Sequence, residues 1–384
     1  MKRIGMKGIV GSNRQGPSRR ALVRRTWLAA RATATIALLA SLGVSAAAQE
    51  PVTLRFATFL PPNGLFTGAD GIIGRFGKAI EADSGGLVKL DILPGGTLGA
   101  AGRNPGAQLK LVVDGVADMS FIIPSTTPGR FPDDNLFGLP VTNSSLEGSI
   151  AFWRLHAAGL MRGYDDRGFK IIGLVVNPPN VLHARSPIGR LEDMQGKRFQ
   201  ASGTEQQGLL RALGGVPVGT VSVREVAEAI SRGVVDGTPK DWIALHSFRI
   251  ADAAKHHVDI ALGASTILIA MNRARYDALP AKAREAIDRH GGEAFARLAG
   301  SMFDEKVKAD RVRTEKDGAH TIVTLPAAER ARWDAAMAEV TAGWRRESAV
   351  NEKLWRAFEQ TVGKVRAEIG GASAGTGSAK VPVK

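Results

Sequence analysis

The chain has 384 residues, a formal net charge of +14 and no cysteine, so no disulfide can stabilise it. Nine of the 51 basic residues, but none of the 37 acidic ones, lie before residue 49, which leaves 42 basic residues and a net charge of about +5 for the rest. This small excess removes the main support for nucleic-acid binding, and 44% hydrophobic residues are typical of an ordinary globular protein.

The first 48 residues have the pattern of an export signal. A basic segment is followed by the apolar run 32–44 and by an alanine-rich end. The apolar run is shorter than the ~20 residues that span a bilayer, although a retained anchor is the alternative. We therefore expect cleavage after Ala48 and a periplasmic location. Two Arg-Arg pairs leave both general and twin-arginine export open.

Strands and helices alternate from residue 52 onward. Alternating apolar and polar residues predict a strand over 52–59, and further strands are predicted over 88–93, before Pro-Gly-Gly, and over 119–123. Apolar residues at helical spacing predict helices over 71–82 and about 107–113. This order predicts an α/β fold with a largely parallel sheet, in which ligands bind beyond the carboxyl ends of the strands.

A second run of the same kind begins after residue 168. Strands are predicted over 169–176 and 181–184, and the double proline in the loop 177–180 between them predicts a crossover between lobes. The Ser-x-x-Glu sequence at 222–225 predicts a capping box at the start of a helix. A Val-Val-Asp-Gly turn ends at Gly115 and again at Gly237, which indicates either two similar lobes or a common helix-to-strand turn.

The C-terminal third is predicted to be mainly helical. A strand runs through 267–271, a long helical tract follows over 281 to about 316, and a final helix is predicted over roughly 327–369. Residues 370–384 are rich in glycine, serine and alanine and are predicted to be disordered.

Several motifs occur in the order known from one family of solute-binding proteins. They are an acid-Ser-Gly-Gly turn at 81–86, a Pro-x-x-x-Leu-Gly element at 94–99, Gly-x-x-Asp-Met at 115–119, Leu-Pro at 139–140, Glu-Asp-Met-x-Gly at 192–196, Leu-Gly-Gly-x-Pro-Val at 213–218, and Glu-Val at 225–226 leading to Gly-Val-Val-Asp-Gly at 233–237. Over nearly the whole chain after the signal, the sequence resembles the substrate-binding proteins of tripartite ATP-independent periplasmic (TRAP) transporters.

The resemblance implies a type II periplasmic binding-protein fold, with two α/β lobes joined by hinge strands and the ligand in the cleft between the lobes. Residues 49–177 and about 266–305 would form lobe 1, and residues 178–265 and about 306–369 would form lobe 2 and the C-terminal helices. The protein would capture a small organic solute, of carboxylate type in this family, and deliver it to the small and large subunits of a TRAP permease. It would act as a monomer without a cofactor.

The residue that usually identifies the ligand differs from the family pattern. In the family, an arginine in the strand after the Glu-Asp-Met-x-Gly turn holds a carboxylate through a bidentate pair. The same position here is Gln200, whose neutral amide donates and accepts hydrogen bonds and suits a neutral or zwitterionic group. A bare dicarboxylate is then not expected unless another cation replaces the arginine. Lys240 is the candidate replacement cation, unless it is a solvated loop lysine. The other candidate ligand-binding residues lie at strand ends, at the crossover and after Lys240: Phe59, Leu60, Ile123, Pro124, Asn180 and Trp242.

An exported hydrolase and an exported sensor partner are the alternative functions. The only histidines close in sequence, His256 and His257, lack the i, i+4 spacing of a helical zinc motif. The single Gly-x-Ser-x-Gly sequence, at 371–375, lies in the low-complexity tail without the strand-turn-helix context of a nucleophile. We therefore predict neither enzymatic activity nor a metal site.

Overall fold

The computed structural model describes residues 50–127, 129–164 and 168–376, so the predicted export signal lies outside the described residues. A first sheet has the order β2-β1-β3-β10-β4, with strands numbered along the chain. Its strands are β1 (Val52–Ala57), β2 (Val88–Leu93), β3 (Met119–Ile122), β4 (Phe169–Val176) and β10 (Thr266–Asn272). β1 is parallel to β2 and β3, whereas β10 is antiparallel to β3 and β4. The strand predictions at 88–93 and 169–176 are confirmed residue for residue.

Short helices cover this sheet. They are α1 (Ile72–Ser84), α2 (Gly99–Arg103), α3 (Gln108–Val113), α4 (Asn135–Gly138) and α5 (Ser145–Ala157). The helical spacing in α1 buries Ile72, Ile73, Phe76 and Ile80 in the core of the sheet. The helix ends at Gly85, whose left-handed φ of 70° suits glycine and places the acid-Ser-Gly-Gly turn before β2.

A second sheet has the order β11-β9-β5-β8-β6-β7. Its strands are β5 (Val181–Ala184), β6 (Arg198–Gln200), β7 (Val216–Val218), β8 (Gly237–Lys240), β9 (His256–Val258) and β11 (Thr321–Val323). The helices between them are α6 (Thr204–Ala212), α7 (Val226–Ser231), α8 (Trp242–Ser247) and α9 (Ile250–Ala253). Because β6 is parallel to β8, the carboxyl ends of these two neighbouring strands, Gln200 and Lys240, lie at the same edge of the sheet.

Two crossover segments connect the sheets and are bonded to each other. Residues 177–180 lead from β4 to β5, and residues 259–265 lead from β9 to β10. Asn177 donates from its backbone N–H to the Ser265 carbonyl at 2.8 Å, and Asn180 donates from its backbone N–H to the Gly263 carbonyl at 2.8 Å. The chain therefore passes between the sheets at the double proline, where the sequence predicted a crossover.

Gly263 fits its crossover only because it has no side chain. Its φ is 73°, and a Cβ atom there would lie 2.0 Å from the Gly138 carbonyl oxygen. We expect Gly263→Ala to lower the free energy of unfolding by about 3 kcal/mol, since left-handed strain and a backbone clash add. Urea unfolding would measure the loss. Gly343→Ala is the control: a Cβ there meets nothing within 4 Å, so this variant should be neutral or slightly more stable.

The remaining helices are α10 (Arg273–Asp277), α11 (Ala281–His290), α12 (Gly292–Lys316), α13 (Ala327–Arg346) and α14 (Ala349–Thr376). The helical tract predicted over 281–316 consists of two helices, because the chain breaks at Gly292, whose φ of 62° is left-handed. The single helix predicted over about 327–369 is wrong, because the chain divides there into α13 and α14.

The last helix, α14, packs on the first sheet. It carries Arg366, which donates to Glu147 of α5 at 2.8 Å, and Glu368, which accepts from Arg154 of α5. The prediction for about 306–369 named lobe 2 and the C-terminal helices together, and these contacts place the last of those helices beside α5. The helix also continues to Thr376 and takes in the first residues of the predicted tail. No helix in the described part of the chain is both long and apolar enough to span a bilayer.

Candidate ligand-binding site

Residues just after β1 and β3 form an apolar surface together with Ile243 of α8, which comes from the side of the second sheet. Phe59 and Pro124 are buried, and Leu60 and Ile123 are half-buried against the same core as Phe59. Ile243 of α8, on the side of the second sheet, packs on this core as well. The structure therefore brings three of the four predicted strand-end residues, Phe59, Leu60 and Ile123, to one core, and Pro124 is buried next to Ile123 in the chain. Ile243 was not predicted, because its contacts lie across the two sheets.

Lys240 ends β8 as a buried cation. It is 9% exposed, and its Nζ donates to Ser202 Oγ at 3.2 Å. No carboxylate forms an ion pair with it within residues 50–127, 129–164 and 168–376. Burial lowers the pKa of Lys240 to about 8, and the neighbouring Asp241 carboxylate offsets this only in part. A buried ammonium with one hydroxyl partner is arranged to receive an anion.

Ser202 was not predicted, yet it joins Lys240 at this edge. Its hydroxyl oxygen accepts from Lys240 Nζ and from Gln200 Nε2, the latter at 3.1 Å. Both lone pairs are then used, so the Ser202 O–H remains as a donor, and no acceptor for it occurs in the described part of the chain. Ser202 and Lys240 therefore offer adjacent donors of the kind that a carboxylate binds.

Gln200 organises this edge from the neighbouring strand. It is 2% exposed, and its Oε1 accepts from Thr238 Oγ1 at 2.7 Å. Its Nε2 donates to Ser202 Oγ and to the Val221 carbonyl at 3.2 Å. Both N–H groups of the amide are used within the protein, so in this arrangement Gln200 orients Ser202 and leaves the ligand-facing donors to Ser202 and Lys240.

Trp242 lies inside the second lobe rather than at an open surface. It is 2% exposed and packs edge-on against His183 and His257, each with ring centroids 5.4 Å away. Asp241 fixes the start of α8 by accepting hydrogen bonds from the backbone N–H groups of Ile243 and Ala244, each at 2.9 Å. The segment 240–242 is thus held by the packing of Trp242 and by the bonds of Asp241 to α8. Of the two roles that the sequence left open for Trp242, ligand contact and structure, its buried position favours structure.

Asn180 holds the crossovers together. Its side-chain N–H donates to the Gly263 carbonyl at 3.1 Å, and its own carbonyl accepts from the backbone N–H of Leu262 at 2.8 Å. The residue therefore lies where the two segments between the sheets meet.

Arg224 bridges the two sides of the cleft and was not predicted. Its Nη2 donates to the carbonyl of Phe59 at 2.5 Å, over a separation of 165 residues. The turn that carries it is fixed by Glu225, which accepts from the backbone N–H of Ser222 at 3.1 Å and from the Ser222 hydroxyl at 2.7 Å. The half of the predicted capping box in which Glu225 accepts from the Ser222 backbone is thus present. The other half is absent, because the Ser222 hydroxyl donates to Glu225 and α7 begins only at Val226.

The histidines do not form a metal centre in the part of the chain that the structure describes. No three His, Asp or Glu side chains of that part converge as metal ligands would. His256 and His257 lie on a strand, β9, where neighbouring side chains point to opposite faces.

Known proteins resemble this chain along most of its length. Residues 69–347 match the family described as "Bacterial extracellular solute-binding protein, family 7" (DctP). The C4-dicarboxylate-binding periplasmic protein DctP of Rhodobacter capsulatus is 25% identical over 320 residues, which are 79% of this chain and 89% of that protein.

Two solved structures share the fold. A marine metagenome TRAP solute binding protein, specific for aromatic acid ligands and solved with 3-hydroxybenzoate, is 26% identical with a TM-score of 0.74, and the match covers 82% of this chain and 99% of that one. A TRAP solute binding protein from Rhodoferax ferrireducens, solved with copurified benzoate, is also 26% identical with a TM-score of 0.74, and the match covers 83% of this chain and 99% of that one.

Proposed function

Because this chain belongs to family 7 of the bacterial extracellular solute-binding proteins, we propose that it captures a small aromatic carboxylate between its two lobes. It is the solute-binding component of a TRAP transporter and works with a membrane permease, as the sequence predicted. The alternatives of a sensor or a hydrolase gain no support from these relatives. In this proposal the protein binds and releases its solute without changing it.

One observation carries the choice of a carboxylate: Lys240 is a buried cation, and no carboxylate within the described residues forms an ion pair with it. The Lys240 ammonium and the Ser202 hydroxyl would bind the carboxylate oxygens, taking the place of the arginine that Gln200 replaces. The apolar residues Phe59, Leu60 and Ile243 would cover the rest of the solute. An aromatic monoacid suits one buried cation beside an apolar surface. Arg224, the other cation described at the cleft, already donates to the Phe59 carbonyl, and a C4-dicarboxylate would need a second cation without such a bond.

The proposal extends to the arrangement of the chain. Residues 49–177 and about 266–305 would move as lobe 1 against lobe 2, bending at the paired crossovers that Asn180 joins. The family is periplasmic, and we propose that the signal is removed after Ala48 on export.

Thermal unfolding with a panel of solutes tests the proposal. Benzoate and 3-hydroxybenzoate should raise the melting temperature, since a ligand at 100 times its Kd stabilises the folded state by about 2.7 kcal/mol. Benzamide, which has the same ring without the charge, should give a much smaller rise. A rise with succinate and none with either aromatic acid would contradict the proposed substrate class while leaving the transport function in place.

The affinity for benzoate should also fall in alkali. A carboxylate binds the protonated lysine, and the pKa of Lys240 in the free protein is about 8. Below this pKa the ammonium is present, and above it the protonated fraction falls tenfold for each pH unit. We expect the benzoate Kd to rise about tenfold between pH 7 and pH 9 in isothermal titration. A flat profile would show that Lys240 does not hold the carboxylate.

A further inference from the structure

Three histidines form a continuous row of hydrogen bonds behind Lys240. His183 of β5 lies opposite His257 of β9, and their Nδ1 atoms are 2.8 Å apart. His257 Nε2 is 2.9 Å from Nδ1 of His320, which precedes β11. At the inner end, His183 Nε2 is 3.1 Å from the carbonyl oxygen of Lys240. At the outer end, His320 Nε2 is 3.5 Å from Lys255 Nζ.

The two ends of this row determine where each proton lies. The Lys240 carbonyl only accepts, so His183 must carry its proton on Nε2 and accept at Nδ1. His257 must then donate from Nδ1 and accept at Nε2, and His320 must donate from Nδ1. The remaining acceptor, His320 Nε2, faces the ammonium of Lys255, which only donates. Every bond therefore points the same way, from Lys255 to Lys240.

The row requires three neutral rings. A second proton on His183 or His257 would set two N–H groups against each other in a buried site. Burial lowers the pKa of His183 far below its ordinary value, and it lowers that of His257 to about 3. His183 is surrounded by His257, Lys240 and Asp241, and His257 by His320, His256, His246 and Lys255.

His320 is the member through which a proton would enter. Its unprotonated ring nitrogen, Nε2, lies 3.8 Å from the Asp317 carboxylate and 3.5 Å from Lys255 Nζ. His246 and Asp252 are the other charged or titratable groups near it. Burial is the main reason why its pKa is lowered, followed by the Lys255 ammonium. A proton on His320 Nε2 would replace an acceptor by a donor opposite Lys255 and break the outermost bond.

We infer that the row is a positioning device for the ligand-binding segment 240–242, and that its outer histidine links solute affinity to protonation. The device acts through Lys240, whose carbonyl it bonds, and through Trp242, whose ring packs on His183 and His257. This inference rests on the proposed role of Lys240 as the residue that binds the carboxylate. None of the three histidines contacts the solute in it.

Nitrogen-15 NMR of the histidine rings tests the row itself, without any ligand. At about pH 7.5, where the rings are neutral, His257 and His320 should carry their proton on Nδ1, and His183 on Nε2. A proton on Nε2 of His257 would overturn the one-way row. This result does not depend on the identity of the solute.

Two variants of His320 test the link to affinity, with benzoate as the probe. His320→Asn keeps an N–H donor where Nδ1 lies but cannot titrate, so its Kd at about pH 7.5 should stay within roughly twofold of wild type. His320→Leu removes the donor and should weaken binding roughly fivefold or more, the equivalent of one hydrogen bond. From about pH 7.5 to about pH 5, the wild-type Kd should rise, and that of His320→Asn should rise less.

Equal affinities of His320→Leu and wild type, or parallel pH profiles of His320→Asn and wild type, would overturn the inference. Folding of both variants is checked by their urea unfolding midpoints. If the wild type binds no acid at all, the proposed function fails, and the NMR pattern still decides whether the row exists.

Discussion

Replacing Lys240 with methionine should abolish the binding of aromatic acids and at the same time stabilise the ligand-free protein. Loss of one partner from a buried, hydrogen-bonded charge pair costs about 2 to 5 kcal/mol of binding free energy, or roughly 30-fold to several thousandfold in Kd. Isothermal titration with benzoate and 3-hydroxybenzoate would measure the loss.

Stability should change in the opposite direction. The shift of the Lys240 pKa from 10.5 to about 8 means that the folded state holds this charge at a cost of about 3 kcal/mol near neutral pH. Methionine fills a similar volume without the charge, so the free energy of unfolding of the empty protein should rise by about 1 to 3 kcal/mol. A variant that lost binding because it misfolded would unfold more easily instead.

Lys197→Met is the matched control for this experiment. Lys197 also donates to a serine hydroxyl, Ser186 Oγ at 3.2 Å, but it precedes β6 instead of ending a strand at the site. We expect the Lys197→Met variant to bind benzoate with the same affinity as the wild type. Equal losses in Lys197→Met and Lys240→Met would contradict a specific role for Lys240.

His257→Asn should make the protein less sensitive to acid. A histidine whose pKa is lowered to about 3 in the folded state stabilises that state above pH 6.5, and this stabilisation is lost as the pH falls because the unfolded chain binds the proton first. Between pH 6.5 and pH 4.5, one such histidine should lower the free energy of unfolding by about 2 kcal/mol. Urea unfolding at both pH values should show that the free energy of unfolding falls by about 2 kcal/mol less in His257→Asn than in the wild type.

The loss of stability in acid must be compared between the wild type and the variants, because other titratable groups stabilise the folded state as the pH falls. Burial raises the pKa of Asp134 and of Glu205 to about 7, so both carboxyl groups favour the folded state as the pH falls. His290→Asn supplies the baseline for removing a histidine outside the row, since His290 pairs with Asp83 near the surface. The same acid dependence in wild type and His257→Asn would contradict a neutral, buried His257.

Elements with a clear local pattern could be predicted from the sequence. The strand β4 is an apolar run ended by a double proline, and α1 has four buried residues at helical spacing. The division of the helical tract at 281–316 into two helices was not predicted, because Gly291 and Gly292 were not recognised as a break. A glycine pair is tolerated in a helix at some cost, so only packing decides whether the chain turns there.

The site was predictable only in part. Lys240 was found through the family resemblance, which brings the loop after the Asp-Gly turn close to the ligand, and the structure places it at the end of β8. Arg224 and Ile243 were missed because their partners come from the other side of the cleft. The histidine row was missed for the same reason: its members come from three separate segments of the chain, and a one-dimensional search shows only the adjacent pair at 256–257.

The position of β10 also affects how the chain folds. This strand lies between β3 and β4 in the middle of the first sheet, although nearly a hundred residues, including most of the second sheet, separate it from β4 along the chain. An emerging N-terminal segment would have β1, β2 and β3 but could not join them to β4 until residue 272 had followed. Pairing over such sequence distances forms slowly. If the chain crosses the membrane unfolded from its N-terminus, which is the general route of the two that its signal allows, the first sheet therefore stays incomplete until β5 to β9 of the second sheet have crossed.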